Sequence, residues 1–218
     1  MILAVETATN ICSIVFLNAQ GEIFEKRTGR KGSHSELIFT FIRELMEEHA
    51  FQLKDLDTVL VSSGPGSYTG LRIAASAVKG MLFGLDVKIY AGNTLAGFAL
   101  AAEAGTVHAV INARRKHLYH QKFEKRERLE VLTKSGILEL DEINGLIKPG
   151  DQIIGTGVNR LDAEKLKELT ILEESRISAR QLIHLFNSPA KDDHFMGTTA
   201  EELESNYLKS SLVNNSKM

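Results

Sequence analysis

The sequence predicts an α/β chain made of two subdomains of related plan, and three observations carry that expectation. Short apolar runs rich in Val and Ile alternate with stretches of helical period. A pattern of three strands followed by alternating helices and strands starts at Ile2 and starts again at Val107. In the first half, residues 62–72 (SSGPGSYTGLR) form a glycine-built turn between a strand and a helix.

Residues 2–5, 11–17 and 22–28 read as strands, with the turn Asn18-Ala19-Gln20-Gly21 between the second and third, which makes an antiparallel meander. Ser33 with Glu36 three residues on is a capping box. After it Leu37, Ile38, Phe41, Ile42, Leu45 and Met46 recur at helical spacing. A strand at 58–62, a helix at 71–83, a strand at 87–90 and a helix near 94–102 complete the order βββαβαβα. The second half offers strand material at 107–111, 117–124 and 129–140, a strand at 152–154, and helices near 161–169 and 179–186. The restart of strands places a boundary near Gly105, dividing the chain into residues 1–105 and 106–218. The tail, 214–218, is polar and expected to fray.

The 218 residues are 43% hydrophobic and 25% charged, an ordinary globular composition. A net charge of −2 excludes a global field for nucleic acid or anionic membrane, which leaves local patches only. Two are visible: Lys26, Arg27, Arg30 and Lys31, and then Arg114, Arg115 and Lys116. Cys12 is the single cysteine, so no intrachain disulfide forms, in keeping with a reducing compartment. The start, MILAVE, lacks the basic end and apolar core of a secretion signal, and no stretch approaches the roughly 20 apolar residues of a membrane span. A soluble, cytoplasmic protein is expected.

In the glycine run, Gly64 and Gly66 allow backbone angles closed to other residues, Pro65 stiffens the turn, and Gly70 lets the next helix start close to the sheet. Two readings stand: a tight connection without ligand, and a phosphate cradle at a helix N-terminus. The run has neither the Gly-Lys-Ser/Thr end of a P-loop nor the dinucleotide fingerprint.

Catalytic candidates are few. Cys12 lies in an alternating strand as a small core residue, and Ser67, without the flanking glycines of a nucleophile elbow, is placed to cap the following helix. His117 and His120 sit three apart in a strand-like stretch, which points them to opposite faces, and no His-Glu-x-x-His motif exists. His34 follows a helix cap and suits helix onset or partner contact. Gly155 and Gly157 form a lone Gly-x-Gly after a strand, which reads as a turn.

Residues 62–80, SSGPGSYTGLRIAASAVKG, resemble the signature of the TsaB (YeaZ) family. Residues 2–9 (ILAVETAT), 32–42 (GSHSELIFTFI) and 112–124 (NARRKHLYHQKFE) agree with it, and 204–209 (ESNYLK) is similar to the family's terminal element. The resemblance implies an actin/Hsp70-like ATPase fold with ribonuclease H-like halves, and a role as partner subunit in making threonylcarbamoyladenosine in tRNA. Glu6 stands where the family usually has Asp, beside the phosphate-binding hairpin of that fold, and Asn112 replaces a second Asp. The implied phosphate-loop residues are Glu6, Thr7, Gly64, Gly66 and Ser67. The catalytic paralogue TsaD carries two metal-binding histidines on the helix after the second βα unit. Here that stretch, residues 93–101 (NTLAGFALA), holds no His, Asp, Glu or Cys. No catalytic and no metal-binding residue is therefore expected.

Around the first helix the apolar positions fan across roughly 180°, with Phe39 just beyond, where about 100° suffices to cover a core. A second partner and a position between two elements of the same domain both explain the excess. Ala74, Ala75, Ser76, Ala77 and Gly80 make the next helix rich in small residues, which suits close helix contacts. The resemblance implies that these two helices pair with the same two of TsaD, or of a second copy when TsaD is absent, through Leu37, Phe41, Ile42, Leu45, Ile73 and Ala77. It implies a TsaE-like ATPase as a further member, tRNA as an indirect partner, and no cofactor required by this chain, with ATP or ADP as an option at the partner interface. The rival expectation is a stand-alone ATPase or glycoprotease-like enzyme of the same fold.

Overall fold

The computed structural model describes residues 1–29, 32 and 34–203. The expected capping residue Ser33, the cations Arg30 and Lys31, the segment 204–209 and the tail lie outside the described residues.

The first sheet is built from β1 (Ile2–Glu6), β2 (Cys12–Leu17) and β3 (Ile23–Thr28), an antiparallel meander as expected. After α1 (His34–Glu48), β4 (Thr58–Gly64) joins parallel to β1; after α2 (Tyr68–Leu82), β5 (Lys88–Asn93) joins parallel to β4. A short helix, α3 (Thr94–Ala99), leads to the second sheet. That sheet starts with the hairpin β6 (Gly105–Asn112) and β7 (His117–Lys125). β8 (Leu129–Val131) and β9 (Gly136–Glu139) both pair with β7; then follow α4 (Leu140–Leu146) and β10 (Gln152–Ile154). The chain continues through α5 (Ala163–Leu166), β11 (Thr170–Leu172), α6 (Arg180–Phe186), α7 (Lys191–His194) and β12 (Phe195–Thr198).

Strand order is β12-β5-β4-β1-β2-β3 in the first sheet and β11-β10-β6-β7-β8 in the second. Each sheet thus has a meander whose first strand pairs in parallel with the strand that follows a helix, the repeated plan expected from the sequence. Three expectations change. Residues 129–140 are not one strand: β8 and β9 are separate pieces laid along different parts of β7, and the apolar stretch runs on into α4. The helix near 161–169 shrinks to α5, capped by Asp162, whose carboxylate accepts from the Glu164 and Lys165 amides. β12, too short and too plain to read as a strand, returns to the first sheet and pairs antiparallel with β5.

Strand alternation distributes the core. Leu3, Val5, Ile14, Phe16, Val59 and Val61 face α1 and α2 through Ile38, Ile42, Leu45, Ala74 and Val78. Ala4, Val15 and Leu60, on the opposite face of the first sheet, meet Ala179, Leu182 and Ile183 at the start of α6. Val107, Ala109, Ile111 and Phe123 of the second sheet pack with Leu95, Phe98 and Ala99 of α3 and with Leu185 of α6. Helix α6 therefore gives Leu182 and Ile183 to one sheet and Leu185 to the other, and α3 beside it is buried along its whole length. The outer face of the second sheet is closed by Ile143, Ile147 and Leu161 over Val110, Leu118 and Ile153.

Because Leu182 is 1% exposed and packs at the joint between the sheets, Leu182→Ala is expected to lower stability by about 2–5 kcal/mol, the range for a buried Leu truncation. Chemical denaturation of the variant against the parent chain checks this; a loss below that range would show that the joint repacks.

Candidate functional site

The glycine run and the β1–β2 turn meet face to face, and their contact decides what the region can do. A Cβ at Gly66 would lie 2.6 Å from both the Cβ and the carbonyl oxygen of Ala8, and one at Gly70 would drive into the Thr7 carbonyl oxygen. Only glycine lets the start of α2 approach the turn this closely. Several polar groups of the run are used within the protein. The Ser67 amide donates to the Ala8 carbonyl at 2.7 Å, the Gly64 amide to Thr94 Oγ1 at 3.1 Å, and the Thr7 hydroxyl to the Gly70 carbonyl at 2.9 Å. Ser67 caps α2, as expected, its hydroxyl accepting from the Gly70 amide at 3.3 Å.

Among the five phosphate-loop candidates, Glu6, Thr7, Gly64 and Gly66 are buried and Ser67 alone is exposed. Glu6 lies beneath the turn, 2% exposed, accepting from the Ala8 amide at 2.6 Å and from the Ser62 hydroxyl. Burial pushes its carboxyl up to about 7, against the pull of the Ser62 and Ala8 hydrogen bonds. Cys12 is fully buried nearby; burial first, and the charge of Glu6 second, push its thiol up to about 12, so it carries no reactive thiolate.

The second half holds a polar cluster that sequence reading missed. His120 points inward from β7 while His117 turns to the surface, where its Nε2 stands 3.7 Å from Glu139 Oε1. His120 Nε2 is 2.9 Å from His108 Nδ1, and His108 Nε2 is 3.0 Å from Asp151 Oδ2. Burial lowers both imidazoles, His120 to about 3, with the neighbouring His108 and then Lys122 adding to the effect there; in His108 the Asp151 carboxylate pulls the other way. Neutral rings passing hydrogen bonds from His120 to His108 to Asp151 satisfy every contact between them. With His108 at 0% and His120 at 2% exposure, no substrate reaches the chain of bonds. It ties β6, β7 and the start of β10. The signal was present in the hairpin register, which sets Val110 opposite His120 and so brings His108 diagonally next to it.

Residues 94–99, the whole of α3, are buried among apolar neighbours. Asn93 caps the helix by accepting from the Leu95 and Ala96 amides, and its own amide donates to Gln121 of β7 at 2.9 Å. No group of three or more His, Cys, Asp or Glu side chains among the described residues is arranged to hold a metal ion. The Gly155–Gly157 pair is a packing feature: Gly155 has φ +129°, a Cβ there would strike the Val110 carbonyl, and one at Gly157 would lie 2.6 Å from Leu118 Cδ2.

The expected partner surface divides. Ile42, Leu45 and Ala77 are 2%, 1% and 3% exposed within the chain's own core, so they have no area to give a partner and serve instead to hold α1 and α2 on the sheet. Leu37, Phe41 and Ile73 are half-buried at the margin of that core. The open apolar surface lies elsewhere. Phe39 of α1 is 51% exposed, and Phe83 at the end of α2 is 75% exposed. At helical spacing Tyr68, Arg72, Ser76, Gly80 and Phe83 share one face of α2, and all five are exposed. Arg72 lies over the Tyr68 ring at 3.9 Å. A Cβ on Gly80 would meet nothing within 4 Å. This face is low in the middle and aromatic at both ends.

Two sheets of ribonuclease H-like order, a meander with parallel strands added across a helix, joined through α3 and α6, define a two-subdomain α/β protein of the actin/Hsp70-like class. The structure of YeaZ from Pseudomonas aeruginosa has the same fold, with a TM-score of 0.80, 24% identity, and coverage of 95% of this chain and 99% of that one. The family model for tRNA N6-adenosine threonylcarbamoyltransferase (TsaD) matches residues 28–178. The chain belongs to this family, and within it to the TsaB (YeaZ) group. The tRNA threonylcarbamoyladenosine biosynthesis protein TsaB of Haemophilus influenzae is 31% identical over 122 residues, 54% of this chain and 51% of that protein. TsaB of Escherichia coli is 26% identical over 172 residues, 75% of this chain and 68% of that protein. A tRNA N6-adenosine threonylcarbamoyltransferase of Symbiobacterium thermophilum is 38% identical over 68 residues, covering 31% and 20%. The chain thus spans about half the length of the Haemophilus relative. No helix among the described residues is long and apolar enough to cross a membrane.

Glu6 supplies a test of how tightly this region is closed. Its folded pKa, near 7, lies above the 4.5 of a free carboxyl. The neutral form therefore favours the fold, and stability falls as pH rises through the window from 4.5 to 7. Glu6→Gln, which keeps the shape and stays neutral, is expected to be no more stable than the parent at low pH and more stable above pH 7, by up to about 3 kcal/mol. Melting temperatures of the two proteins across that window check it. A difference independent of pH would mean that water reaches the carboxylate.

Proposed function

We propose that the chain is a non-catalytic scaffold subunit, required for the transfer of a threonylcarbamoyl group to the adenosine beside the anticodon of tRNA, and that it acts by binding the catalytic paralogue TsaD. The observation that carries this reading is the outer face of α2, where two exposed aromatics flank an exposed Ser76 and Gly80. Small residues let a second helix come close, and the aromatics at either end bury apolar area when it does. Phe39 of the neighbouring α1 extends the same kind of surface. The names of the TsaB relatives, given for threonylcarbamoyladenosine biosynthesis, support the pathway, and the match to the TsaD model supports a partner built on the same plan.

The chemistry of α3 supports the absence of a catalytic role. The helix that bears metal ligands in TsaD is here apolar and sealed between the sheets. A phosphate loop at Glu6, Thr7, Gly64, Gly66 and Ser67 is the weaker reading, because amides of the run already donate within the protein. On this proposal nucleotide is not required by the chain itself; ATP or ADP enters at the partner interface, a TsaE-like ATPase joins the assembly, and two copies of the chain pair when TsaD is absent.

The purified chain mixed with TsaD is expected to give a complex by size measurement and to stimulate formation of modified tRNA. Gly80→Arg places a long cation on the open face without touching its own fold. It is expected to keep the parent melting temperature and to weaken the complex at least about tenfold, the equivalent of one hot-spot contact. Absence of a complex with the parent chain would sink the proposal, and so would an unaffected complex with the variant, which would move the interface off α2. ATP turnover by the isolated chain, abolished by Glu6→Ala, would favour an independent enzyme instead.

A further inference from the structure

β6 and β7 are joined by a tight turn at residues 113–116 that carries Arg114, Arg115 and Lys116 in succession, all exposed. Among the described residues none of the three side chains is in an ion pair or hydrogen bond. The other basic cluster behaves differently. Lys26 is held by Glu48 at 2.6 Å and Glu44 at 3.4 Å, and Arg27 donates to the Ile177 and Glu174 carbonyls, both at 2.9 Å. Its described members are occupied within the fold, whereas those of the hairpin tip are free.

The tip is also held in shape. Arg160, in the single turn Val158–Arg160, donates to the carbonyl of His117 at 3.1 Å, to that of Arg115, and to the side-chain oxygen of Asn112. The Asn112 amide donates to Thr156 Oγ1 at 3.3 Å. Arg115 takes a left-handed conformation, φ 56°. Every acceptor of Arg160 is neutral, so its charge adds to that of the three free cations rather than being cancelled. Among the described residues three acids lie near the base of the turn and none is in an ion pair with its cations: Glu139 stands by His117, Glu142 accepts from the Glu139 amide at 2.7 Å, and the exposed Asp141 follows Leu140, whose amide donates to the Lys116 carbonyl. Four positive groups thus stand together on a chain whose net charge is −2. They lie at the carboxyl end of β6, beside that of its parallel neighbour β10, the end at which open α/β sheets bind their ligands.

We propose that the β6–β7 tip is an RNA-phosphate contact surface, by which this chain itself touches the tRNA that its assembly modifies. Guanidinium forks match phosphate oxygens, and residues 112–116 hold no aromatic ring on which a base would stack, so the contact is with backbone and not with bases. The choice of RNA as the source of phosphate rests on the proposed function; the anion-binding chemistry of the tip does not.

The test uses the full chain alone, with labelled tRNA titrated from low to physiological salt, and the triple variant Arg114→Ala/Arg115→Ala/Lys116→Ala. The parent chain is expected to bind weakly, with affinity falling as salt rises. The variant is expected to lose about tenfold or more at low salt and to flatten the slope of log K against log salt by about two, since each phosphate contact contributes roughly 0.7–0.9. A charge-keeping variant, Arg114→Lys/Arg115→Lys, is expected to retain the parent slope, and all three proteins to share one melting temperature. No binding by the parent chain, or equal binding by the triple variant, overturns the proposal. Loss of ATP binding with RNA binding intact also overturns it, by making the tip a nucleotide site. Complex formation with TsaD, followed separately by size, is expected to be unchanged in the triple variant. Its failure with the parent chain would fall on the proposed function, while the RNA titration would still decide the role of the tip.

Discussion

The close approach of Gly66 and Gly70 to the Thr7–Ala8 turn is the constraint on which the rest of the structure depends. A strand-to-helix turn normally leaves amides pointing into open space at the helix start, where an anion is welcome. Here the turn instead presses against the β1–β2 connection, and the Ser67 amide is taken by the Ala8 carbonyl. The contact seals Glu6 beneath it, which raises the carboxyl toward neutrality. It also fixes the angle at which α2 leaves the sheet. The inner side of α2 then fills the core with Ala74, Ala77 and Val78, and the outer side is left carrying Tyr68, Ser76, Gly80 and Phe83. One backbone contact closes a pocket and opens a surface.

The fold was legible where period and punctuation agree. The meander β1–β3, the helices α1 and α2 and the strand β10 lie within a few residues of where strand alternation, apolar spacing and turn residues put them. It was less legible where tertiary pairing overrides local preference. β12 is four residues with a glycine in the middle, and only the free edge of β5 makes a strand of it. β8 and β9 read as one run because both are apolar enough, yet β7 takes them at two separate registers. At the candidate surfaces, helical periodicity found which residues of α1 and α2 are apolar but not which way they face. On α1 an arc of roughly 180° holds both the core stripe and its margins, and the resemblance, which offered Ile42 and Leu45 there and Ala77 on α2, does not separate the two; all three are buried in the chain's own core.

The interior polar groups show a consistent economy. His108, His120 and Asp151 satisfy one another, Asn93 caps α3 and reaches Gln121, and Ser13 serves the Ala179 amide at 2.9 Å from the far side of the first sheet. Each joins elements separated in sequence: the histidine pair and Asp151 tie strands within the second sheet, Asn93 links the first sheet to the second, and Ser13 ties the first sheet to the start of α6, so each contributes specificity to the fold. A buried imidazole held neutral beside another is a structural bond, and its lowered pKa is a consequence of burial and not a mark of catalysis.

Inside, among the described residues, only His34 Nε2 and His194 Nδ1 are buried without a hydrogen-bond partner; on the outside, binding capacity takes two different chemical forms in two different halves of the chain. The face of α2 is low, with aromatic rings at its ends and Arg72 laid over one of them, suited to a helix that buries area, and the apolar part of such a contact depends little on salt. The β6–β7 tip is cationic and rigid, suited to phosphate, and its contribution fades as salt rises. An assembly that uses both would hold together in high salt while losing its RNA. A protein with only the first would show no such separation. That difference follows from the physics of the two surfaces alone, and it distinguishes a scaffold that merely supports its catalytic partner from one that also helps to place the substrate.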